Sequence, residues 1–182
     1  VSGTYDNMLA RYAREGAKAR GSKAVIYDLR GNVGGSDSWP RKWIQSFLGT
    51  QNSIETSMLY AQKNSALFAA ENSESMLPED EGTCFAREVH GTWYENDIPI
   101  IVLVDDHCGS SGEGAVQLLK TLDNVLIVGS NTAGYQLCGN ISTFTLPYTG
   151  IGVRFGSTLF LYGDGENVDH RGYATDVWCD PQ

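Results

Sequence analysis

The stretch IPIIVLVDDHCGSSGEGAVQLLKTL, residues 98 to 122, decides the fold. Its first part, IPIIVLVDD (98 to 106), is nearly continuously apolar and rich in β-branched residues, the pattern of a parallel-sheet strand buried on both faces. Its second part places Ala115, Leu118, Leu119 and Leu122 at helical intervals, with Ser or Gly at the cap and Glu113 in the first turn. Between the two, adjacent serines flanked by glycines occupy a strand-to-helix turn. Such a turn exposes a side chain at the carboxyl end of a sheet and directs unpaired helix N–H groups at whatever sits there. The oxyanion of an acyl transfer needs those surroundings.

The neighbouring segments continue the alternation. A helix runs to about Ala19 and ends near Gly21, KAVIYDLR (23 to 30) is a strand, and GNVGGS (31 to 36) is a tight glycine loop. A second helix covers Trp39 to Phe47, with Pro40 tolerated in its first turn. Downstream of the serines, NVLIVGS (124 to 130) reads as another buried strand and NTAGYQLCGN as a loop. ISTFTLP, GVRFGSTLFLYG and GYATDVW alternate and carry β-formers, so they read as strands. Residues 49 to 97 differ: polar, rich in Ser, Asn and Glu, they predict an insertion or lid, with a helical stretch over Met58 to Ala70 and an acidic turn, LPEDEGT. The order strand, helix, strand, helix, strand predicts an α/β fold with right-handed crossovers.

The chain has 182 residues, of which 41% are hydrophobic, enough for one compact domain with a real core. Its formal net charge of −9 argues against nucleic acid or an anionic membrane as partner and favours cationic or neutral substrates. No apolar run approaches the roughly 20 residues of a spanning helix, and no signal peptide is visible. Because the chain begins at Val1, inside a predicted helix, it is expected to be a fragment of a longer protein. Cys84, Cys108, Cys138 and Cys179 show no C-x-x-C spacing and so predict no zinc site. Their even number fits two disulfides in an exported protein or four ordinary thiols.

Two motifs carry chemistry. In DLRGNVGGS (28 to 36) no Gly-Lys-Ser/Thr follows and the glycines do not match G-x-G-x-x-G, so a phosphate loop is not indicated. The glycines serve either a tight turn or the approach of a backbone N–H to a substrate carbonyl, with Asp28 and Arg30 placed to lock the loop. The serine turn is not a G-x-S-x-G elbow. Alone, it reads as a helix cap.

Together, DLRGNVGG, the later SSGE turn, the VGSNTAG loop and the closing GYATDV resemble the tail-specific, or C-terminal processing, serine proteases (serine peptidase family 41). The resemblance runs from about Lys23 to Val177 and leaves 49 to 97 unmatched. It implies a ClpP/crotonase-like α/β core of ββα units and an endopeptidase acting on peptide or protein substrates without metal or other cofactor. It also implies an extracytoplasmic location and allows an oligomer. Carried onto this chain, it makes Ser110 the nucleophile, three positions before Glu113, with oxyanion donors on Ser111 and on Gly34 or Gly35. The position of the lysine in the family's Ser-Lys dyad holds Tyr135, so the tricorn-like branch, with a histidine oriented by a carboxylate, is the closer comparison. The carboxylate is then Asp169, with Glu166 as the alternative. Asp169 could instead simply begin a turn with Gly172. None of His90, His107 and His170 matches the family's base, which is expected upstream of this chain. The resemblance further implies that Cys108 and Cys138 lie close enough for a disulfide in an exported protein. Two other functions share the fold: a non-catalytic, retinoid-type ligand-binding module, and a crotonase-type acyl-CoA enzyme, whose need for a basic surface conflicts with the acidic charge.

Overall fold

The computed structural model describes residues 2–66, 69, 81–163 and 167–180. In chain order the elements are α1 Ser2–Ala19, β1 Val25–Asp28, α2 Ser38–Leu48, β2 Met58–Lys63, β3 Cys84–Val89, β4 Ile100–Val104, α3 Ser111–Leu119, β5 Val125–Gly129, β6 Cys138–Thr145, β7 Gly152–Tyr162 and β8 Val177–Trp178. They make a mixed α/β fold in two compact units: residues up to 56 with 90–136 and from 168 onward, and residues 57–89 with 137–167. The polar stretch 49 to 97 is thus divided, its central part belonging to the second unit.

The first unit is built on a parallel sheet of order β1-β4-β5-β8. Ile100 stands beside Val25 and Val125, and the register continues along all three strands. Tyr27, Ile100, Val102, Val104 and Ile127 point to one face and bury there against Trp43, Ile44 and Phe47 of α2 and Val116, Leu118 and Leu119 of α3. Each such side chain contributes about 1.5–3 kcal/mol by leaving water. Helix α1 lies on α2 at backbone distance: a Cβ on Gly16 would stand 2.3 Å from the Trp43 carbonyl oxygen. No other residue fits there.

The expectation of strands buried on both faces is corrected. Burial alternates along β4, with Ile100, Val102 and Val104 buried and Ile101 and Leu103 only partly so. Ile26 and Leu126, which flank Ile101 in register, are 69% and 41% exposed. All three helices of the unit follow or precede strands whose buried residues share one face, so the other face keeps its apolar row in the open.

The second unit is an antiparallel sheet of order β3-β2-β7-β6. Here the predicted helix from Met58 is overturned, because Met58–Lys63 is a strand paired to β3 on one side and to β7 on the other. Met, Leu, Ala, Gln and Lys favour helix, but ladders on both edges and the packing of Tyr60 against Phe85 and Phe160 outweigh that propensity. Residues 67, 68 and 70 of that predicted helix, residues 77–80 of the acidic turn, and Glu166 lie outside the described residues. Among the described residues no helix is long and apolar enough to cross a membrane.

Candidate active site

The site forms where β1 and β4 end side by side. Past Asp28, Leu29 N–H still bonds the Leu103 carbonyl at 2.9 Å, and the chain then turns into the glycine loop. The Asp105 carboxylate, just past β4, accepts Gly31 N–H at 2.9 and 3.1 Å and His107 N–H at 3.1 Å. It therefore ties the glycine loop to the serine turn. Gly109 N–H adds a bond to the Asn32 carbonyl at 3.0 Å. Arg30 chelates Asp28 through Nε at 2.9 Å and Nη2 at 2.7 Å, locking the loop as expected. These hydrogen bonds hold the Asp28 carboxyl below the usual carboxylate range.

Ser110 is the residue at which strand gives way to helix, and its backbone adopts φ 52°, ψ −122°. A non-glycine residue there is strained by about 1–3 kcal/mol and needs surrounding structure to hold it. Glu113 supplies that structure. It is fully buried, and its Oε2 accepts Ser110 N–H at 3.1 Å and Tyr135 N–H at 2.8 Å. Its Oε1 accepts Gly134 N–H at 2.8 Å and the Thr132 hydroxyl at 2.6 Å. One carboxylate thus fastens the serine turn to the loop 132–135. Sequence reasoning took Glu113 for a capping acid and a spacing marker. The cap is borne out by the bond from Ser110 N–H, whereas the bonds from Thr132, Gly134 and Tyr135 were hidden because those partners lie well downstream in the chain.

Gly34, at φ +116°, lies directly on the serine: a Cβ there would stand 2.7 Å from Ser110 Cβ and 3.2 Å from its Oγ. The two glycines offered as donors differ. Gly34 N–H is taken by Asn32 Oδ1 at 3.0 Å. Among the described residues, no acceptor engages Gly35 N–H or Ser111 N–H. Ser111 Oγ donates to the Gly35 carbonyl at 3.1 Å and holds these two residues together.

The loop carrying Asp169 docks on the same assembly. His170 N–H bonds the Gly134 carbonyl at 3.0 Å, and Tyr173 N–H bonds Thr132 Oγ1 at 2.7 Å. Asp169 opens a turn in which Arg171 and Gly172 both donate to the Val168 carbonyl, and its Oδ2 lies 3.5 Å from His170 Nε2. His107 Nδ1 pairs with Asp106 Oδ1 at 2.7 Å on an exposed surface. Among the described residues no histidine side chain is hydrogen-bonded to Ser110 Oγ. Tyr135, at the lysine position, lays its ring over Gly109 and is 62% exposed. Asp105, Asp106 and His107 bring oxygen and nitrogen atoms within 4.8 Å of one another. Since Asp105 already accepts backbone N–H groups, this cluster reads as a turn closure.

The expected Cys108–Cys138 bridge is not formed, and all four cysteines are free thiols. Cys108 turns into the core of the first unit, where burial first, and then the nearby Glu113 and Asp105 charges, push its thiol up to about 12. Cys138 begins β6 as an exposed residue.

A strained serine at a strand-to-helix turn, with a glycine loop packed on it, places this chain among mixed α/β proteins that present a serine at such a turn. The profile of Peptidase family S41 matches residues 2–178, and the chain belongs to that family. The resemblance read from the motifs is borne out. No curated protein matches the chain in sequence. Among solved structures, it is similar to the photosystem II D1 C-terminal processing protease, with 18% identity, a TM-score of 0.60, and 97% of this chain and 40% of that chain covered. Mature CPAF shares 15% identity with a TM-score of 0.61, covering 93% and 42%. A lipoprotein from Streptococcus agalactiae shares 20% identity with a TM-score of 0.55, covering 95% and 57%. At these identities the likeness is one of fold. The chain spans 40% to 57% of the lengths of these three structures.

Proposed function

We propose that this chain carries a serine endopeptidase site on a ClpP/crotonase-like core of ββα units. Ser110 Oγ attacks the scissile carbonyl, its proton passes to a base, and the carbonyl electrons move onto an oxygen held by the N–H groups of Ser111 and Gly35. Collapse of this intermediate expels the amine and leaves an acyl group on Ser110, which water then removes. The observation that carries the reading is the strained Ser110 backbone, pinned by a buried carboxylate next to Ser111 and Gly35, whose N–H groups no acceptor engages among the described residues. Asp169 is assigned the orientation of a base histidine. Among the described residues His107 pairs with Asp106 and His170 with Asp169, and no histidine is hydrogen-bonded to Ser110 Oγ.

The same observation favours one competing reading, a non-catalytic ligand-binding module, because a serine without a base is a weak nucleophile. A fluorophosphonate separates the two. The expected result is slow labelling confined to Ser110, accelerated by added imidazole, abolished in Ser110→Ala and altered less than about tenfold in Ser111→Ala, which keeps its backbone donor. His90→Ala, His107→Ala and His170→Ala should each label at the parent rate. Inert protein with or without imidazole sinks the hydrolytic proposal. A single histidine variant that loses labelling identifies that histidine as the base.

A further inference from the structure

Between α1, α2 and the glycine loop lies a cavity of about 520 Å³ that the proposed chemistry does not use. Gly35 and Ser111, whose N–H groups are proposed to hold the oxyanion, both line it. A carbonyl placed on those two groups has its own residue's side chain at the mouth of this space. The walls are Leu9, the rings of Tyr12, Tyr27 and Trp39, and Pro40. The polar ends of Tyr12 and Tyr27 are hydrogen-bonded to each other, so the two residues present ring surface rather than free hydroxyls. Burial raises the Tyr12 hydroxyl above its ordinary value and keeps it neutral.

Charge sharpens the selection. Among the described residues no lysine, arginine or histidine lines the cavity, while Asp28 does and is chelated by Arg30. An acidic side chain entering here would meet apolar rings and the Asp28 carboxylate, whose neighbouring cation, Arg30, is already engaged, and such burial is strongly unfavourable. An aromatic or long aliphatic side chain would find a wall of its own kind.

We infer that this cavity is the specificity pocket for the residue whose carbonyl is attacked, and that it takes large apolar side chains, aromatic ones above all, and rejects acidic ones. This rests on the endopeptidase reading for the placement of the carbonyl; the side-chain preference rests on the cavity alone.

The test uses product-like peptides, acetyl-Ala-Ala-X with a free carboxylate, where X is Phe, Leu, Ala, Asp or Lys. The carboxylate anchors the register on the two N–H groups. Binding to Ser110→Ala is measured by calorimetry, so no catalytic step enters. Phe and Leu should bind at least about tenfold more tightly than Ala, the range that a hydrophobic pocket achieves, and Asp should bind weakest. Leu9→Glu, a change on a half-exposed helix position, should weaken Phe and strengthen Lys. Equal binding of all five, preference for Asp, no measurable binding of the Phe peptide, or an unchanged ranking in Leu9→Glu would overturn the pocket assignment. Graded binding together with failure of fluorophosphonate labelling would leave the pocket standing and remove the hydrolase.

Discussion

Replacing Glu113 by Gln tests whether one buried carboxylate builds the site. The side chain is isosteric, so packing is preserved and only its hydrogen-bonding character changes. In the native protein both oxygens accept, taking N–H from Ser110, Gly134 and Tyr135 and O–H from Thr132. The amide of Gln keeps one acceptor and turns a donor toward the other two groups. All four donors lose a charged acceptor and, whichever way the amide lies, two of them face its NH2 group and lose their acceptor outright. At about 1.5–3 kcal/mol for each hydrogen bond to a charged group, the loss from those two alone is about 3–6 kcal/mol. Against a total stability of about 5–15 kcal/mol this is severe, and for a chain of this size it lowers Tm by about 6–24 °C. Scanning calorimetry gives the shift, and amide hydrogen exchange locates it. Ser110, Gly134 and Tyr135 should lose protection, and the labelling rate at Ser110 should fall as its strained backbone relaxes. If Glu113→Gln melts within about 2 °C of the parent with these three amides still protected, the carboxylate is not what holds the serine turn.

Both Gly34, at φ +116°, and Gly35, at φ +141°, are strained by any side chain, but only a methyl on Gly34 meets the serine, 2.7 Å from Ser110 Cβ, so Gly34→Ala should slow Ser110 labelling by more than about tenfold relative to Gly35→Ala; the reverse ranking would refute the contact's role. The Cys108 thiol is held up to about 12 from an ordinary 9.0, so at pH 8 iodoacetamide should modify Cys84, Cys138 and Cys179 in the folded protein and reach Cys108 only after unfolding. A thiol whose folded value is raised stabilises the fold fully below about pH 9 and loses that contribution as pH rises toward about 12, so melting temperature should fall across that window and Cys108→Ala should flatten the fall. Rapid native alkylation of Cys108 would contradict its burial.

What the sequence alone determined is what neighbouring residues decide among themselves. The β-branched run 98 to 106, the helical spacing after Glu113 and the glycines of 31 to 36 each impose a local conformation, and their order yields a parallel α/β unit with the serine at a strand-to-helix turn. The family follows from those same short motifs. Tertiary structure decided whatever depends on residues distant in the chain. Met58 to Lys63 favours helix on its own and becomes a strand because β3 and β7 supply hydrogen bonds on both sides. Glu113 has the spacing of a capping acid, and only the arrival of the loop 132–135 gives its two oxygens four donors. Gly34 and Gly35 are chemically identical in the sequence. Asn32 engages the N–H of Gly34 and, among the described residues, no acceptor engages that of Gly35, since an amide's direction is set by backbone dihedrals that residue identity does not specify. Cys108 and Cys138 differ in the same way, one turned into the core and one to the surface, because the turn that Asp105 closes onto Cys108 and the pleat at the start of β6, not the residue type, set where each thiol points.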